Sequence, residues 1–258
     1  MKHSVCRWCF PDLSLDQLCR VAVDLGIASV ELLNLDELPT LRRHGLACAL
    51  LNEPTLADDQ GNALPAIEHG WNDPTNHARL IEAYGPHMQA AAAADVANIV
   101  CFSGNRRGVS DREGLEHAVT GLRQIVPRAE ALGVTLCLEL LNSKVDHPDY
   151  MADHTAWGVE LCERVNSPAL RLLYDIYHMQ IMEGDLIATI RQHHRWFSHY
   201  HTAGVPGRHE IDDSQEINYP AVVRAIRDTG YTGYLGQEFL STSRDPIRSL
   251  REAINACG

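Results

Sequence analysis

Four residues able to bind a metal or to move a proton stand at the ends of four successive apolar runs. They are Glu139 in TLCLE, Asp175 in LLYD, His201 in SHYH and Glu238 in LGQE. A carboxylate at the end of an apolar strand is costly unless it is paired, hydrogen-bonded or bound to a metal. Three carboxylates and one imidazole suit a divalent cation such as Mn²⁺, Mg²⁺, Co²⁺ or Zn²⁺. These residues therefore predict one divalent-metal site, with four unrelated strand caps as the alternative interpretation.

Two further residues could contact a substrate. His178 follows Asp175 by three positions, so both side chains can face one cavity if the strand runs into a turn. A hydrogen-bonded structural histidine is the alternative. Arg208 lies in the charged, glycine-containing segment 201–219, and its planar guanidinium could neutralise an anionic or polyhydroxylated substrate. A surface loop held by salt bridges is the alternative there.

The elements that must position these residues follow an alternating pattern. Short apolar runs of the kind found in buried parallel strands alternate with longer amphipathic runs typical of helices. Strands are predicted near 3–9, 27–33, 46–51, 97–103, 134–141, 170–175, 197–202 and 233–239. Helices are predicted near 15–25, 76–94, 111–132, 155–165, 183–194, 219–229 and 244–257, with Pro127 kinking or dividing the third of them.

Eight strands alternating with helices in about 250 residues predict an α/β fold of the (β/α)8 TIM-barrel type. The active-site face of such a barrel lies at the carboxyl ends of its strands. A doubly wound sheet is the alternative, but Cys9-Phe10-Pro11-Asp12 is not the glycine-rich turn that usually follows its first strand. We expect a single domain over residues 1–258, with the irregular segment 52–75 as a lid or wall over the barrel mouth, or as a covering loop without a chemical role.

Composition excludes several classes of protein. The chain has 258 residues and a formal net charge of −12, so it lacks the basic surface expected of a nucleic-acid binder. No run of 18 apolar residues predicts a membrane span, and the first residues do not resemble a secretory signal, so a cytoplasmic location is expected. The eight cysteines lie mostly in apolar runs and are predicted to be buried free thiols. The CxxC spacing of Cys6 and Cys9 is interpreted in the same way rather than as a redox or zinc motif.

Four segments carry a resemblance to a known family. They are LELLN at 138–142, YDIYHMQIMEGD at 174–185, GRHEIDDSQEINY at 207–219 and the terminal GYLGQEF. Together they strongly resemble the hydroxypyruvate isomerase family, part of a xylose-isomerase-like barrel group that also includes the ketose 3-epimerases. The resemblance extends over the whole chain and is looser over the first 130 residues. It implies a TIM barrel and, by analogy with related barrels, a homo-oligomer, either dimer or tetramer.

The resemblance also implies roles for single residues. Glu139 and Glu238 match the two metal-binding carboxylates that serve as acid and base catalysts. Asp175 and His201 match the remaining ligands of one divalent ion. His178 and Arg208 match positions that contact the substrate in the family.

Two departures from the family pattern point in opposite directions. His201 is typical of the epimerases, because the isomerases can carry glutamine there. Val145, however, replaces a substrate-binding glutamate of the epimerases. Its neighbours Lys144 and Asp146 would suit a smaller substrate, and Lys144 or Arg208 could hold a carboxylate.

The implied activity is a metal-dependent isomerisation of a small 2-hydroxycarbonyl compound through a cis-enediolate. The expected substrate is hydroxypyruvate and the expected product is tartronate semialdehyde. A ketose 3-epimerase or another sugar isomerase is the first alternative. A non-catalytic sugar- or protein-binding barrel and a metal-dependent hydrolase of phosphodiesters are the others.

Overall fold

The computed structural model describes all residues from 1 to 258. Contacts within the chain define two compact units. The first unit contains Met1–Leu51 and Tyr174–Gly258, and the second contains Asn52–Leu173. The expectation of a single domain over 1–258 stays a prediction.

Nine strands form the sheets of the protein. They are β1 Lys2–Cys6, β2 Ser29–Glu31, β3 Leu56–Ala57, β4 Ala63–Leu64, β5 Asn98–Cys101, β6 Thr135–Glu139, β7 Leu170–Asp175, β8 Phe197–Thr202 and β9 Tyr234–Gln237. Seven of them make one sheet in the order β2-β1-β9-β8-β7-β6-β5. The pairs β1·β2, β1·β9, β5·β6, β6·β7 and β8·β9 are parallel, as expected for short strands that alternate with helices.

Nine α-helices lie between and after these strands. They are α1 Leu15–Asp24, α2 Leu38–Arg43, α3 His77–Ala93, α4 Asp111–Leu132, α5 Thr155–Val165, α6 Ile176–Met182, α7 Leu186–His193, α8 Tyr219–Asp228 and α9 Pro246–Ala256. None of them is long and apolar enough to cross a membrane.

The predicted strand at 46–51 is wrong. That segment has only isolated parallel bridges to the β2 region, at Ala47 and at Leu51. Between them the backbone N–H of Ala49 donates to the side-chain Oγ of Ser29 over 2.8 Å. Because that amide is taken by a side chain rather than by a neighbouring carbonyl, the ladder is interrupted.

Two helix predictions also differ from the structure. α4 runs undivided through Pro127, with a long buried face that packs the helix on both sides of the proline. The helix predicted at 183–194 starts instead at Leu186. Gly184 and Asp185 have left-handed backbone conformations, with φ of 66° and 44°, which separate α7 from α6.

The predicted chemical residues lie where their strands end. Glu139 is the last residue of β6 and Asp175 is the last residue of β7. His201 is the penultimate residue of β8, and Glu238 follows β9 directly. All eight cysteines are free thiols and seven of them are buried, as predicted.

Candidate active site

Three of the four predicted metal ligands lie together in the first unit. One ligand atom from each of Asp175, His201 and Glu238 lies within 4.8 Å of the others. All three side chains are buried, with at most 3% of each residue exposed. Carboxylate oxygens and an imidazole nitrogen gathered in a buried place are the donors that divalent cations bind, so these residues fit such an ion.

Asp175 is positioned by the start of α6. Its Oδ1 accepts hydrogen bonds from the backbone N–H groups of Tyr177 at 2.8 Å and His178 at 3.2 Å, so Asp175 is the N-cap of that helix. Its Oδ2 lies 3.7 Å from Nε2 of His178 and 3.8 Å from a guanidinium nitrogen of Arg208. The cap therefore fixes one oxygen and leaves the other facing the two predicted substrate contacts.

Glu238 has three close partners. Its Oε2 accepts from a guanidinium nitrogen of Arg208 at 2.5 Å and lies 3.0 Å from Nδ1 of His201. Its Oε1 accepts from the indole Nε1–H of Trp8 at 3.0 Å. Burial raises the pKa of this carboxyl, but the nearby charges of Arg208 and His201 outweigh burial and hold the pKa well below its ordinary value. Glu238 is therefore a carboxylate near neutral pH.

Arg208 is held between two aromatic rings. Its guanidinium carbon lies 5.1 Å from the ring centre of Trp8 and 5.5 Å from that of Tyr177. Its side chain is only 13% exposed. A guanidinium flanked by rings keeps a fixed plane, which suits bidentate binding of a carboxylate.

His201 makes a second contact through its other ring nitrogen. Nε2 of His201 donates to Oε1 of Glu31 over 2.9 Å, and Nε2 of His199 donates to the same oxygen at the same distance. Glu31 and His201 are fully buried, and His199 is buried beside them. Burial raises the pKa of Glu31, but the two histidines more than offset this effect and hold the pKa below its ordinary value.

Glu139 belongs to the second unit. It is 5% exposed, and in the β6·β7 ladder it lies opposite Leu173, two residues before Asp175 in the same strand. Its backbone carbonyl accepts from the hydroxyl of Tyr150 at 2.8 Å. The end of β6 is thereby fixed.

Lys144, predicted to contact substrate, lies exposed in the segment after β6. The neighbouring backbone is shaped by Asn142, whose side-chain oxygen accepts from the N–H groups of Val145 and Asp146, each at 3.0 Å. Val145 is 65% exposed. The structure thus leaves the side chains of this turn at the surface of the second unit.

The predicted lid segment lines a cavity of about 420 Å³ in the second unit. Residues 65–68 form one wall, and Glu53, Asp146 and His147 contribute polar groups. The segment was expected to be irregular, but it contains the antiparallel strand pair β3·β4.

Sequence reasoning missed Trp8, Glu31 and His199. Glu31 lies within the apolar run IASVELL, where a buried carboxylate is costly without a partner. That signal is the same one that identified Glu139, and it could have found Glu31. No local pattern indicates that Trp8 contacts Glu238, because the contact joins residues 230 positions apart.

Comparison with known protein families shows the class of this protein. Residues 19–257 match the profile of the xylose isomerase-like TIM barrel family, and the chain belongs to that family. The predicted barrel fold is therefore confirmed. A solved structure described as an AP endonuclease, family 2, from Brucella melitensis is similar over 97% of both chains, with a TM-score of 0.81 and 27% identity.

Similar proteins with assigned names indicate the general class of activity. A human protein that carries the provisional name hydroxypyruvate isomerase is 29% identical over 247 residues, covering 90% of this chain and 86% of its own. A 2-oxo-tetronate isomerase from Pectobacterium atrosepticum is 28% identical over 242 residues, covering 89% and 88%. These relatives confirm the resemblance to the hydroxypyruvate isomerase family and support an isomerase.

Proposed function

We propose that this protein is a metal-dependent isomerase that converts hydroxypyruvate to tartronate semialdehyde. The observation that carries the proposal is the position of Arg208, whose guanidinium lies 2.5 Å from Glu238 and is flanked by two aromatic rings. A cation that binds carboxylates thus stands beside a carboxylate able to transfer a proton.

The names of the relatives support this choice of substrate. Hydroxypyruvate and 2-oxo-tetronate are both short 2-oxo acids with a hydroxyl group on the carbon next to the carbonyl. A substrate of this class brings one carboxylate into a site already rich in carboxylates. It therefore needs a fixed cation, and Arg208 supplies one.

The chain's own residues account for the proton transfers. One of the two carboxylates, Glu139 or Glu238, removes a proton from carbon 3 of hydroxypyruvate and leaves a cis-enediolate. The other returns a proton to carbon 2, while the hydroxyl proton passes from the oxygen on carbon 3 to the oxygen on carbon 2. The product is tartronate semialdehyde, and no oxidant or reductant is consumed. General acid–base catalysis of this kind contributes about 10²–10⁴-fold to the rate.

We assign the metal to Glu139, Asp175, His201 and Glu238, with His178 and Arg208 contacting the substrate and Lys144 a further candidate for its carboxylate. Asp175, His201 and Glu238 are supported by their mutual distances, and Glu139 by its place at the end of the strand adjacent to β7. A divalent ion bound there would polarise the substrate carbonyl and acidify the adjacent C–H bond. An oligomeric assembly and a cytoplasmic location stay predictions.

Proton NMR in D₂O tests the proposal. The protein is loaded with Mg²⁺, which is diamagnetic, and is compared with an EDTA-treated sample, each with hydroxypyruvate and, in a separate reaction, with a ketose. We expect deuterium uptake and formation of tartronate semialdehyde only in the loaded sample. Exchange and inversion at carbon 3 of a ketose, with hydroxypyruvate unchanged, would instead assign an epimerase. Inertness toward both substrates in protein shown to hold Mg²⁺ would favour a non-catalytic binding barrel.

A further inference from the structure

A buried hydrogen-bond network stands behind the candidate ligand His201. Oε1 of Glu31 accepts from Nε2 of His201 and from Nε2 of His199, each at 2.9 Å, and the thiol of Cys6 lies 3.6 Å from the same oxygen. Glu31 has no exposed surface. A carboxylate is held this deep in a protein only when its neighbours compensate its charge, and here these are chiefly the two imidazoles.

The two ring nitrogens of His201 face different groups. Nε2 points at Glu31, while Nδ1 lies 3.0 Å from Oε2 of Glu238, inside the candidate ligand set. A nitrogen that donates to a carboxylate must carry the hydrogen. Nδ1 also faces a carboxylate and carries a hydrogen of its own in the protonated ring. A bound cation would displace the hydrogen on Nδ1, because Nε2 keeps its hydrogen bond to Glu31, and Nδ1 would then present its lone pair.

The backbone next to this network leaves room for it. Gly236 of β9 lies opposite His201 of β8 in the parallel ladder. A Cβ atom at position 236 would lie 2.1 Å from Oε1 of Glu31 and 2.7 Å from Cδ2 of His201. Any side chain there would therefore displace the carboxylate from the imidazole.

We propose that Glu31 is a positioning residue, which keeps the hydrogen of His201 on Nε2 and thereby directs Nδ1 at the metal. Carboxylates that hydrogen-bond a ligating imidazole raise its basicity and fix its ring plane, and their loss typically weakens metal binding by about 10–100-fold. The inference rests on the metal site of the proposed function and deepens it. Glu31 itself binds neither metal nor substrate.

The test measures the affinity and stoichiometry of Mn²⁺ binding by calorimetry in the wild type and in two variants. Glu31→Gln keeps the size of the side chain but removes its charge. His199→Gln is the matched control, because it alters the same buried network and leaves the Glu31–His201 bond in place. We expect one ion per chain in all three proteins, about 10–100-fold weaker binding in Glu31→Gln, and binding close to wild type in His199→Gln.

Four outcomes would overturn the inference. Unchanged affinity in Glu31→Gln, while the wild type binds Mn²⁺, would refute it and leave the proposed function standing. Equal losses in both variants would show a shared packing effect. A second ion that disappears in His199→Gln would make Glu31 and His199 ligands of another site. A wild type that binds no Mn²⁺ would refute the proposed function as well.

A measurement on the wild type covers the case in which Glu31→Gln does not fold. In protein loaded with Zn²⁺, long-range ¹H–¹⁵N correlations of the histidine rings identify the protonated nitrogen of each ring. We expect His201 to carry its hydrogen on Nε2 and to bind the ion through Nδ1. A Zn²⁺-bound Nε2 would overturn the inference.

Discussion

The indole Nε1–H of Trp8 donates a hydrogen bond to Oε1 of Glu238 over 3.0 Å, joining the turn after β1 to the residue that follows β9. The other oxygen of Glu238 faces Arg208 and His201. The indole ring also packs against the guanidinium of Arg208. One partly exposed tryptophan thus supports both the proposed proton-transfer group and the proposed substrate cation.

Trp8→Phe separates these two contributions. The substitution keeps a ring beside Arg208 but removes the hydrogen bond to Glu238, which is worth about 1 kcal/mol or somewhat more. We expect kcat for hydroxypyruvate to fall about fivefold, with KM changed less. Steady-state kinetics check this, and Trp8→Ala should raise KM in addition. An unaltered kcat in Trp8→Phe would show that the hydrogen bond has no catalytic consequence.

Glu139→Gln and Glu238→Gln test the two-carboxylate chemistry. Each amide is nearly isosteric with the carboxylate but cannot accept the transferred proton. We expect each variant to lose about 10²-fold or more in kcat, in line with the contribution of general acid–base catalysis. Stopped assays of product formation measure the loss, and thermal unfolding confirms that the variants are folded. Full activity in either variant would refute the mechanism.

Arg208→Ala tests the recognition of the substrate carboxylate. We expect KM for hydroxypyruvate to rise much more than KM for dihydroxyacetone, because the neutral ketose has a hydroxymethyl group in place of the carboxylate. Both substrates share any effect on Glu238, so the ratio of the two KM changes isolates the carboxylate contact. Equal changes for the two substrates would remove Arg208 from that role.

Glu210 provides a test of stability rather than of activity. Its carboxylate accepts hydrogen bonds from the segment 241–243, with distances of 2.6–3.0 Å. Burial raises the pKa of Glu210, but these hydrogen bonds prevail and lower it from 4.5 to about 2. Because the pKa is lower in the folded protein, the ionised group stabilises the fold fully above about pH 4.5. This contribution is lost as the pH falls toward 2.

Glu210→Gln should therefore lower the free energy of unfolding by about 1–3 kcal/mol at neutral pH. We expect the difference from wild type to shrink as the pH falls from 4.5 toward 2. Urea unfolding at several pH values measures both effects. Glu252→Gln, which removes an exposed ion pair on α9, is the control and should change little. A pH-independent difference for Glu210→Gln would contradict the ionic origin.

The sequence predicted the ends of the strands well because burial imposes a strong pattern there. A polar residue at the end of an apolar run can be recognised from the local sequence alone, as at Glu139, Asp175 and His201. The same reasoning gave the barrel, and the family match confirms it. It failed at 46–51, where a run of apolar residues looks like a strand. A single side-chain hydrogen bond, from Ala49 to Ser29, interrupts the ladder there.

Contacts between residues far apart in the chain could not be predicted from one sequence. Trp8 follows the first strand in a short stretch read as a CxxC spacing, and its partner lies near the other end of the chain. His199 shares β8 with His201, and two histidines at i and i+2 point to the same face of a strand. That periodicity was visible, but only the fold brings Glu31 to the same point.

The double use of Asp175 limits how this position can change during evolution. One of its oxygens begins α6 and the other faces the site, and both uses depend on the short side chain. Aspartate and glutamate codons differ only in their third base, so this exchange is among the easiest that replication errors supply. Glutamate would keep the charge but, one methylene longer, would be a poor N-cap. We therefore expect selection to remove the single-base exchange Asp175→Glu. Exchange of aspartate for glutamate should be tolerated more readily where the carboxylate caps no helix.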